Sequence, residues 1–160
     1  MTAACASIYF SFYYPLLPKV VASHFDLHGI ANGWQPKQVF FEVLGGMTVL
    51  SAFLVFGVSA MVSVIPSQFI NLPNKDYWLA PEQRAASMEF LSGWFAWFGF
   101  AVYAVIVVAF DYAVQNNLHA SAGPNPMRLW LMLGFLVVFM VVWTIRLFGR
   151  FGRVPRKSAS

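Results

Sequence analysis

Three long apolar stretches dominate the pattern of the chain, and they run from Val39 to Ile65, from Phe90 to Ala113 and from Leu129 to Phe148. An α-helix rises 1.5 Å per residue, so about 20 apolar residues cross the roughly 30 Å hydrocarbon core of a bilayer. Each stretch reaches that length and carries few charges. The pattern therefore predicts three transmembrane helices.

A fourth apolar stretch, from Thr2 to Leu17, is shorter and includes several serine and tyrosine side chains. The alternative interpretation is a secretory signal, but the basic leading region of such a signal is missing, and the end at Pro15 to Pro18 lacks a small-residue cleavage pattern. We therefore expect a retained, short first helix. The predicted fold class is all-α, an integral membrane four-helix bundle.

The composition supports a chain that is mostly embedded in lipid. Of its 160 residues, 59% are hydrophobic and 10% are charged, whereas soluble domains are about half apolar and a quarter charged. We expect a single transmembrane domain over residues 1–153 and a basic cytoplasmic tail over residues 154–160. Basic residues near the C-terminal end suit anionic lipid headgroups and do not indicate nucleic acid. A single cysteine, Cys5, excludes an intrachain disulfide.

The basic residues also predict which side of the membrane each loop faces, because lysine and arginine are enriched on the cytoplasmic side. Four helices place both termini on the same side. That side then holds seven of the ten basic residues, namely Lys75, Arg84, Arg146, Arg150, Arg153, Arg156 and Lys157. We predict that both termini are cytoplasmic and that the loops over residues 18–38 and 114–128 face outward.

The first outer loop contains a cluster of polar residues. A period-two alternation through His24, Asp26 and His28 predicts an extended segment with these three side chains on one face. Imidazole and carboxylate groups suit zinc or another divalent metal, so one hypothesis is a metal site, and the other is a set of hydrogen-bonded loop residues. Gly29, Asn32 and Gly33 are turn formers, with Asn32-Gly33 the stronger signal, and they predict that the loop folds back as a cap over the bundle.

Two acidic residues fall inside predicted helices, near their outer ends. Glu42 is one turn into the second helix, and Asp111 is one turn from the end of the third. Carboxylates in a membrane are costly unless they reach water or pair, which makes them functional candidates. Asp111 could instead pair with Arg128. With the outer loop, these carboxylates form a candidate ligand-binding or partner-binding cluster: His24, Phe25, Asp26, Trp34, Glu42 and Asp111.

The second loop, on the predicted cytoplasmic side, reads Tyr-Trp-Leu-Ala-Pro-Glu-Gln-Arg over residues 77–84. Proline at the first helical position, followed by glutamate, is typical of a helix N-terminus. We therefore expect a helix to begin near Pro81 and to continue into the third span. Tyr77 and Trp78 are expected at the level of the headgroups, and the pair Gly45-Gly46 predicts close helix packing in the second span.

Both loop motifs resemble those of SdpI-type small bacterial membrane proteins, a family built on a domain of unknown function. The outer loop matches through Leu17-Pro18, His24-Phe25-Asp26 and Gly33-Trp34, and the inner loop matches through its Tyr-Trp-x-x-Pro-Glu-x-Arg motif. The resemblance implies a bacterial inner-membrane location and an immunity or signalling role. The positions that belong to the family pattern by this resemblance are His24, Phe25, Asp26, Gly33, Trp34, Trp78, Pro81 and Glu82, and the inner-loop motif also includes Tyr77 and Arg84. His28 falls where relatives often carry a small residue, which argues against a three-ligand metal site.

The chain carries none of the familiar catalytic sequence motifs, such as a P-loop, Gly-x-Ser-x-Gly or His-Glu-x-x-His. We expect a non-enzymatic inner-membrane component that binds a ligand, senses a signal or confers immunity, with the bilayer and a peptide or membrane protein as partners. One alternative is a metal-dependent enzyme or transporter that uses His24, Asp26 and His28 with Glu42 and Asp111. A structural subunit of a larger membrane complex is the second alternative.

Overall fold

Helices account for most of the chain. The computed structural model describes residues 2–119 and 125–154, so nearly all of the predicted basic tail lies outside the described residues. Within these ranges the elements follow one another as α1 (Thr2–Tyr13), a 3-10 turn (Tyr14–Leu16), β1 (Val20–Phe25), β2 (Ala31–Pro36), α2 (Lys37–Ala52), a π-helical segment (Phe53–Val58), α3 (Ser59–Val64), a second 3-10 turn (Ser67–Phe69), α4 (Lys75–Trp78), α5 (Pro81–Leu118) and α6 (Met127–Phe151).

Three helical stretches in the described chain are long and apolar enough to cross a membrane, and they are Lys37–Val62, Pro81–Leu118 and Met127–Phe151. They coincide with the three spans predicted from the sequence. The second of these stretches begins at Pro81, with Glu82 in its first turn, as the proline-glutamate pair predicted. The length and composition of these helices indicate a membrane protein.

The first helix is shorter than a membrane span. α1 has 12 residues, which corresponds to about 18 Å of helix. Pro15 lies in the 3-10 turn that follows, and Pro18 comes soon after it, so the α-helical hydrogen-bond pattern cannot continue. The predicted four-helix bundle is therefore not confirmed, since three helices of the described chain reach the length of a span.

The predicted outer loop contains a β-hairpin, so the all-α fold class is wrong for this segment. β1 and β2 pair antiparallel in a two-stranded sheet, and residues 26–30 form the turn, where Gly29 has a positive φ of 79°. Gly29 lies in the turn as predicted, whereas Asn32-Gly33 lies inside β2, so the stronger of the two turn signals is wrong. The physical reason is that the Asp26 side chain accepts backbone hydrogen bonds and builds the turn earlier in the chain.

The structure divides into two compact units, of which the first comprises residues 1–51 and 101–136. Its core combines buried apolar side chains from α1, β1, α2, α5 and the segment before β1: Phe10, Leu17, Val21, Phe40, Leu44, Ala113 and Val114. Val21 of β1 and Val114 of α5 are fully buried. The inner face of the hairpin is therefore part of the core of this unit.

The second unit comprises residues 52–100 and 137–160, and its core gathers around Trp78. The indole Nε1 of Trp78 donates to the carbonyl oxygen of Phe151 at 3.0 Å, and the Asn74 amide donates to the same oxygen at 2.9 Å. Trp78 is only 3% exposed. Its predicted role as an anchor among the headgroups is therefore wrong, because its ring is covered by protein and holds the end of α6.

Close packing in the second unit occurs at Gly99 of α5. A methyl group at Gly99 would lie 2.7 Å from the Val55 side chain and 2.8 Å from the Val55 backbone nitrogen, in the π-helical segment. At Gly45 and Gly46, nothing lies within 4 Å of where a methyl group would be placed. The close packing predicted at Gly45 and Gly46 is therefore wrong.

Candidate functional site

Asn117, near the end of α5, pairs with the backbone of β1. Its amide nitrogen donates to the Ala22 carbonyl oxygen at 2.8 Å, and the Ala22 N–H donates to the Asn117 side-chain oxygen at 2.9 Å. These two bonds imitate a neighbouring strand and cover the edge of β1 at this point. The contact of Asn117 with β1 was not predicted, because an asparagine near a helix end gives no signal in the sequence of a contact with a distant strand.

Lys37 ties the base of the hairpin to the end of α1. Its Nζ donates to the carbonyl oxygens of Tyr14 at 3.1 Å and of Leu17 at 3.2 Å, and it lies 4.6 Å from the centroid of the Tyr14 ring. Carbonyl groups at the end of a helical segment lack partners within it, so the ammonium group satisfies them. The Lys37 N–H also donates to the Lys19 carbonyl oxygen at 2.9 Å, which closes the hairpin.

The turn of the hairpin is built on Asp26. One carboxylate oxygen, Oδ1, accepts the N–H groups of Ile30 at 2.9 Å and of His28 at 2.8 Å. These two hydrogen bonds, first from Ile30 and then from His28, lower the pKa of the Asp26 carboxyl below its usual value, because they stabilise the charged form. The second oxygen lies 3.8 Å from Nδ1 of His28, whose side chain is mostly exposed.

His24, Asp26 and His28 do not share one face of a strand, so that prediction is wrong. β1 ends at Phe25, and the register shifts on both sides of His24, which interrupts the alternation of side chains. Asp26 and His28 then belong to the turn. In the ranges that the structure describes, no three histidine, cysteine, aspartate or glutamate side chains lie close enough together to hold a metal ion.

His24 and Gly33 form a close contact across the hairpin. A methyl group at position 33 would lie 3.0 Å from both Cβ and Nδ1 of His24, so glycine leaves room for the imidazole. The same Nδ1 is 3.0 Å from the hydroxyl oxygen of Ser23. This contact gives a structural reason for the histidine and the glycine in the outer-loop pattern.

Asp111 is held in a polar network within the first unit. Its Oδ1 accepts the Tyr9 hydroxyl at 2.6 Å and the Gln115 amide at 3.3 Å, while its Oδ2 lies 2.9 Å from Nη2 of Arg128. The predicted pairing with Arg128 is confirmed. The network joins α1, α5 and the start of α6, and each oxygen of the carboxylate has a partner, which is the pattern of a structural ion pair.

Glu42 is placed differently from Asp111. It is exposed on α2, and its Oε1 accepts the Gln38 amide at 2.9 Å, one turn away on the same helix. Phe25 packs edge-on against Tyr112, with ring centroids 5.2 Å apart. The six residues of the predicted cluster are therefore divided between the hairpin, an exposed face of α2 and the Asp111 network.

The hairpin exposes large apolar side chains near its turn and on its outer face. Trp34 is 63% exposed, Leu27 60% and Ile30 56%. Trp34 is paired with Ala22, and the next pair along the ladder contains the buried Val21, so the indole lies on the face opposite the core. We call Leu27, Ile30 and Trp34 the hairpin tip. Trp34 belongs to the ligand-binding cluster predicted from the sequence, whereas Leu27 and Ile30 were not predicted as binding residues.

The arginine of the inner-loop motif holds the end of α3 in the second unit. Arg84 donates from Nη1 to the Ser67 hydroxyl at 2.8 Å and from Nη2 to the Ile65 carbonyl oxygen at 2.9 Å. Ile65 is the C-cap residue that follows the last residue of α3, Val64. Arg84 therefore satisfies a carbonyl group that the helix leaves without a partner.

The aromatic residues of the same motif pack within the second unit. Tyr77 contacts Trp78 edge-on, with ring centroids 4.9 Å apart, and the Arg150 guanidinium lies 4.7 Å from the centroid of a Trp78 ring. Glu82 is exposed at the start of α5. The contacts of Tyr77 and Trp78 are structural, and Glu82 is the exposed acidic residue of the motif.

A family model described as a domain of unknown function (DUF1648) matches residues 1–49. These residues comprise α1, the hairpin and most of α2, so the match includes Lys37, the Asp26 turn and the hairpin tip. No curated protein and no solved structure matches the chain. The coarse prediction, a membrane protein that carries a domain of unknown function, is confirmed.

Proposed function

We propose that this protein is a non-enzymatic binding component of a bacterial inner membrane, similar to SdpI-type proteins, and that its hairpin recognises a peptide or membrane-protein partner outside the cytoplasm. A domain of unknown function matches residues 1–49. This match supports the view that the segment, which includes the hairpin, has a role of its own. The distribution of lysine and arginine supports an outward-facing hairpin with cytoplasmic termini.

One observation carries the proposal: the hairpin is fixed in place, yet its tip is apolar and exposed. Asn117 and Lys37 bind its backbone and its base, while Leu27, Ile30 and Trp34 remain uncovered by the described chain. Exposed apolar clusters mark interaction sites, and tryptophan is enriched among residues that dominate binding energy. A rigid element also loses little conformational entropy when it binds.

This arrangement supports an immunity-like or sensing role. A partner that approaches from outside would contact the hairpin tip, and the Asn117 and Lys37 contacts would join the bound hairpin to α5, α1 and α2. Binding alone suffices for such a role, so neither a metal nor a catalytic residue is required. The metal-dependent alternative lacks support, because the described His, Asp and Glu side chains do not converge.

Site-specific photo-crosslinking in living cells tests the proposal. A benzophenone amino acid replaces Ile30, Trp34 or Val20, one at a time, in the full-length protein. Ile30 and Val20 are equally exposed, at 56% each, but Val20 lies at the base of the hairpin. We expect crosslinks to a peptide or protein from positions 30 and 34 and not from position 20.

Two outcomes would count against recognition by the tip. Crosslinks to lipid alone at all three positions would show that the tip rests on the membrane. Equal protein crosslinks from Val20 and Ile30 would indicate a partner that covers the whole surface, as expected of a structural subunit in a larger complex.

A further inference from the structure

A groove that the proposed function does not use runs between α5 and α6 in the first unit. Its volume is about 400 Å³, and its walls include Val105 and Val108 of α5 and Leu131, Met132 and Phe135 of α6. Small-molecule sites are typically concave, mostly apolar and of about 300–1,000 Å³. The groove has this size and this apolar lining.

Arg128 is the charged residue in the lining of the groove. It lies seven positions before Phe135 on α6, which corresponds to about 10 Å along the helix axis. The groove therefore has a cationic end and an apolar length of about two helical turns. An amphiphile with one anionic group and a hydrocarbon chain has the complementary arrangement of charge and apolar surface.

The ion pair with Asp111 positions Arg128 without using all of its hydrogen-bonding capacity. Nη2 lies 2.9 Å from Oδ2 of Asp111, and half of the Arg128 side chain is exposed. A guanidinium group has five N–H donors, so further donors remain for a second acceptor. Asp111 is itself fixed by Tyr9 and Gln115, and the arginine is thus held at the groove by a rigid network.

We propose that this groove binds an anionic phospholipid, with the phosphate of the headgroup on Arg128 and one acyl chain against the apolar walls. Arginine binds phosphate oxygens through charge-assisted hydrogen bonds, and each buried methylene of the chain adds to the affinity. The bilayer around the three apolar helices supplies such lipids. A lipid with a neutral, zwitterionic headgroup fits the walls but gives a weaker electrostatic contact with Arg128.

Native mass spectrometry of the full-length protein, purified in detergent, tests this site. The protein is mixed with equimolar phosphatidylglycerol and phosphatidylcholine that carry the same acyl chains, and the retained lipids are counted. We expect the first bound lipid to be phosphatidylglycerol with about a fivefold preference, because both lipids offer a phosphate to Arg128 but only phosphatidylglycerol has a net negative charge. Equal retention of the two lipids would overturn the proposal.

Substitutions distinguish lipid that binds in the groove from lipid that binds elsewhere on the protein. Val108→Trp fills the groove and should abolish the preference, whereas Val138→Trp, at an exposed position of the same helix α6 as Arg128, should retain it. Arg128→Gln should remove the preference while phosphatidylcholine still binds. A preference that persists in Val108→Trp would overturn the proposal, and this variant keeps the Asp111–Arg128 ion pair intact. The lipid preferences of these variants do not depend on the hairpin. The experiment can therefore overturn lipid binding in the groove without overturning the proposed function of the hairpin, and the reverse.

Discussion

Gly99 and Gly46 are both helical glycines, yet the structure predicts opposite effects of alanine at the two positions. At Gly99 a methyl group would lie within 3.0 Å of the Val55 backbone, and overpacking of this kind costs about 1–3 kcal/mol. At Gly46 the methyl group meets open space, and alanine is favoured in a helix by up to about 1 kcal/mol. Thermal unfolding in detergent should show a lower Tm for Gly99→Ala and an unchanged or higher Tm for Gly46→Ala. An unchanged Tm for Gly99→Ala would contradict the packing described at Val55, and a lower Tm for Gly46→Ala would contradict the open space at position 46.

Asp26 makes the hairpin turn sensitive to acid. Its pKa is lowered from the ordinary value of 3.8, chiefly by the hydrogen bond from Ile30. The ionised carboxylate therefore stabilises the turn above that ordinary pKa, and the stabilisation is lost as the pH falls through the lowered pKa. In a His28→Gln background, which removes the imidazole that lies 3.8 Å from the Asp26 carboxylate, the backbone amide signal of Ile30 in NMR spectra should stay constant from neutral pH down to about 4 and titrate below it.

Asp26→Asn is the control for the acid response, because it retains a side-chain oxygen acceptor and removes the charge. In the same His28→Gln background, the amide signal of Ile30 should then show no transition attributable to position 26. With Asp26 unchanged in that background, a transition centred above 3.8, the ordinary carboxyl pKa, would contradict the hydrogen bonds described for the turn.

At the scale of elements, Asn117 should determine how firmly the hairpin is attached. Asn117→Leu removes both bonds to Ala22, each worth about 1 kcal/mol, so amide hydrogen exchange over residues 20–36 should accelerate by roughly tenfold or more. Asn116→Leu is the matched control, since the Asn116 amide donates to the Tyr112 carbonyl oxygen within its own helix. Similar exchange rates in the two variants would show that the core contacts of Val21 hold the hairpin without Asn117.

The elements differ in how far the sequence predicts them. The three spans follow from long apolar runs, and the start of α5 follows from Pro81, because these signals are local. Of the predicted turn formers, Gly29 lies in the hairpin turn and Asn32-Gly33 does not, since the hydrogen bonds of the Asp26 side chain decide between the two segments. The Asn117 and Gly99 contacts join residues that are far apart in the chain, and no local pattern encodes such a pairing. The pairing of Asp111 with Arg128 could be predicted, because a carboxylate in an apolar helix needs a partner and Arg128 is nearby in the sequence.

At the scale of the whole molecule, the described chain combines three helices that are long and apolar enough to cross a membrane with one β-hairpin. The DUF1648 match covers this hairpin, α1 and most of α2. Its buried face contributes to the core of the first unit, and its exposed face carries the apolar tip. The proposed recognition of a partner requires that this tip lie on the outer side of the membrane, with the α4 segment on the cytoplasmic side.

Cysteine labelling in intact cells tests this arrangement most directly. Cys5 is the single cysteine, so Cys5→Ala provides a background into which His28→Cys, in the hairpin turn, or Asp76→Cys, in α4, is introduced; both positions are exposed. We predict that a membrane-impermeant maleimide labels the cysteine at position 28 in intact cells and labels the one at position 76 only after the cells are permeabilised. Labelling of position 76 in intact cells, with position 28 protected until permeabilisation, would place the hairpin in the cytoplasm and contradict its proposed role in recognising an external partner.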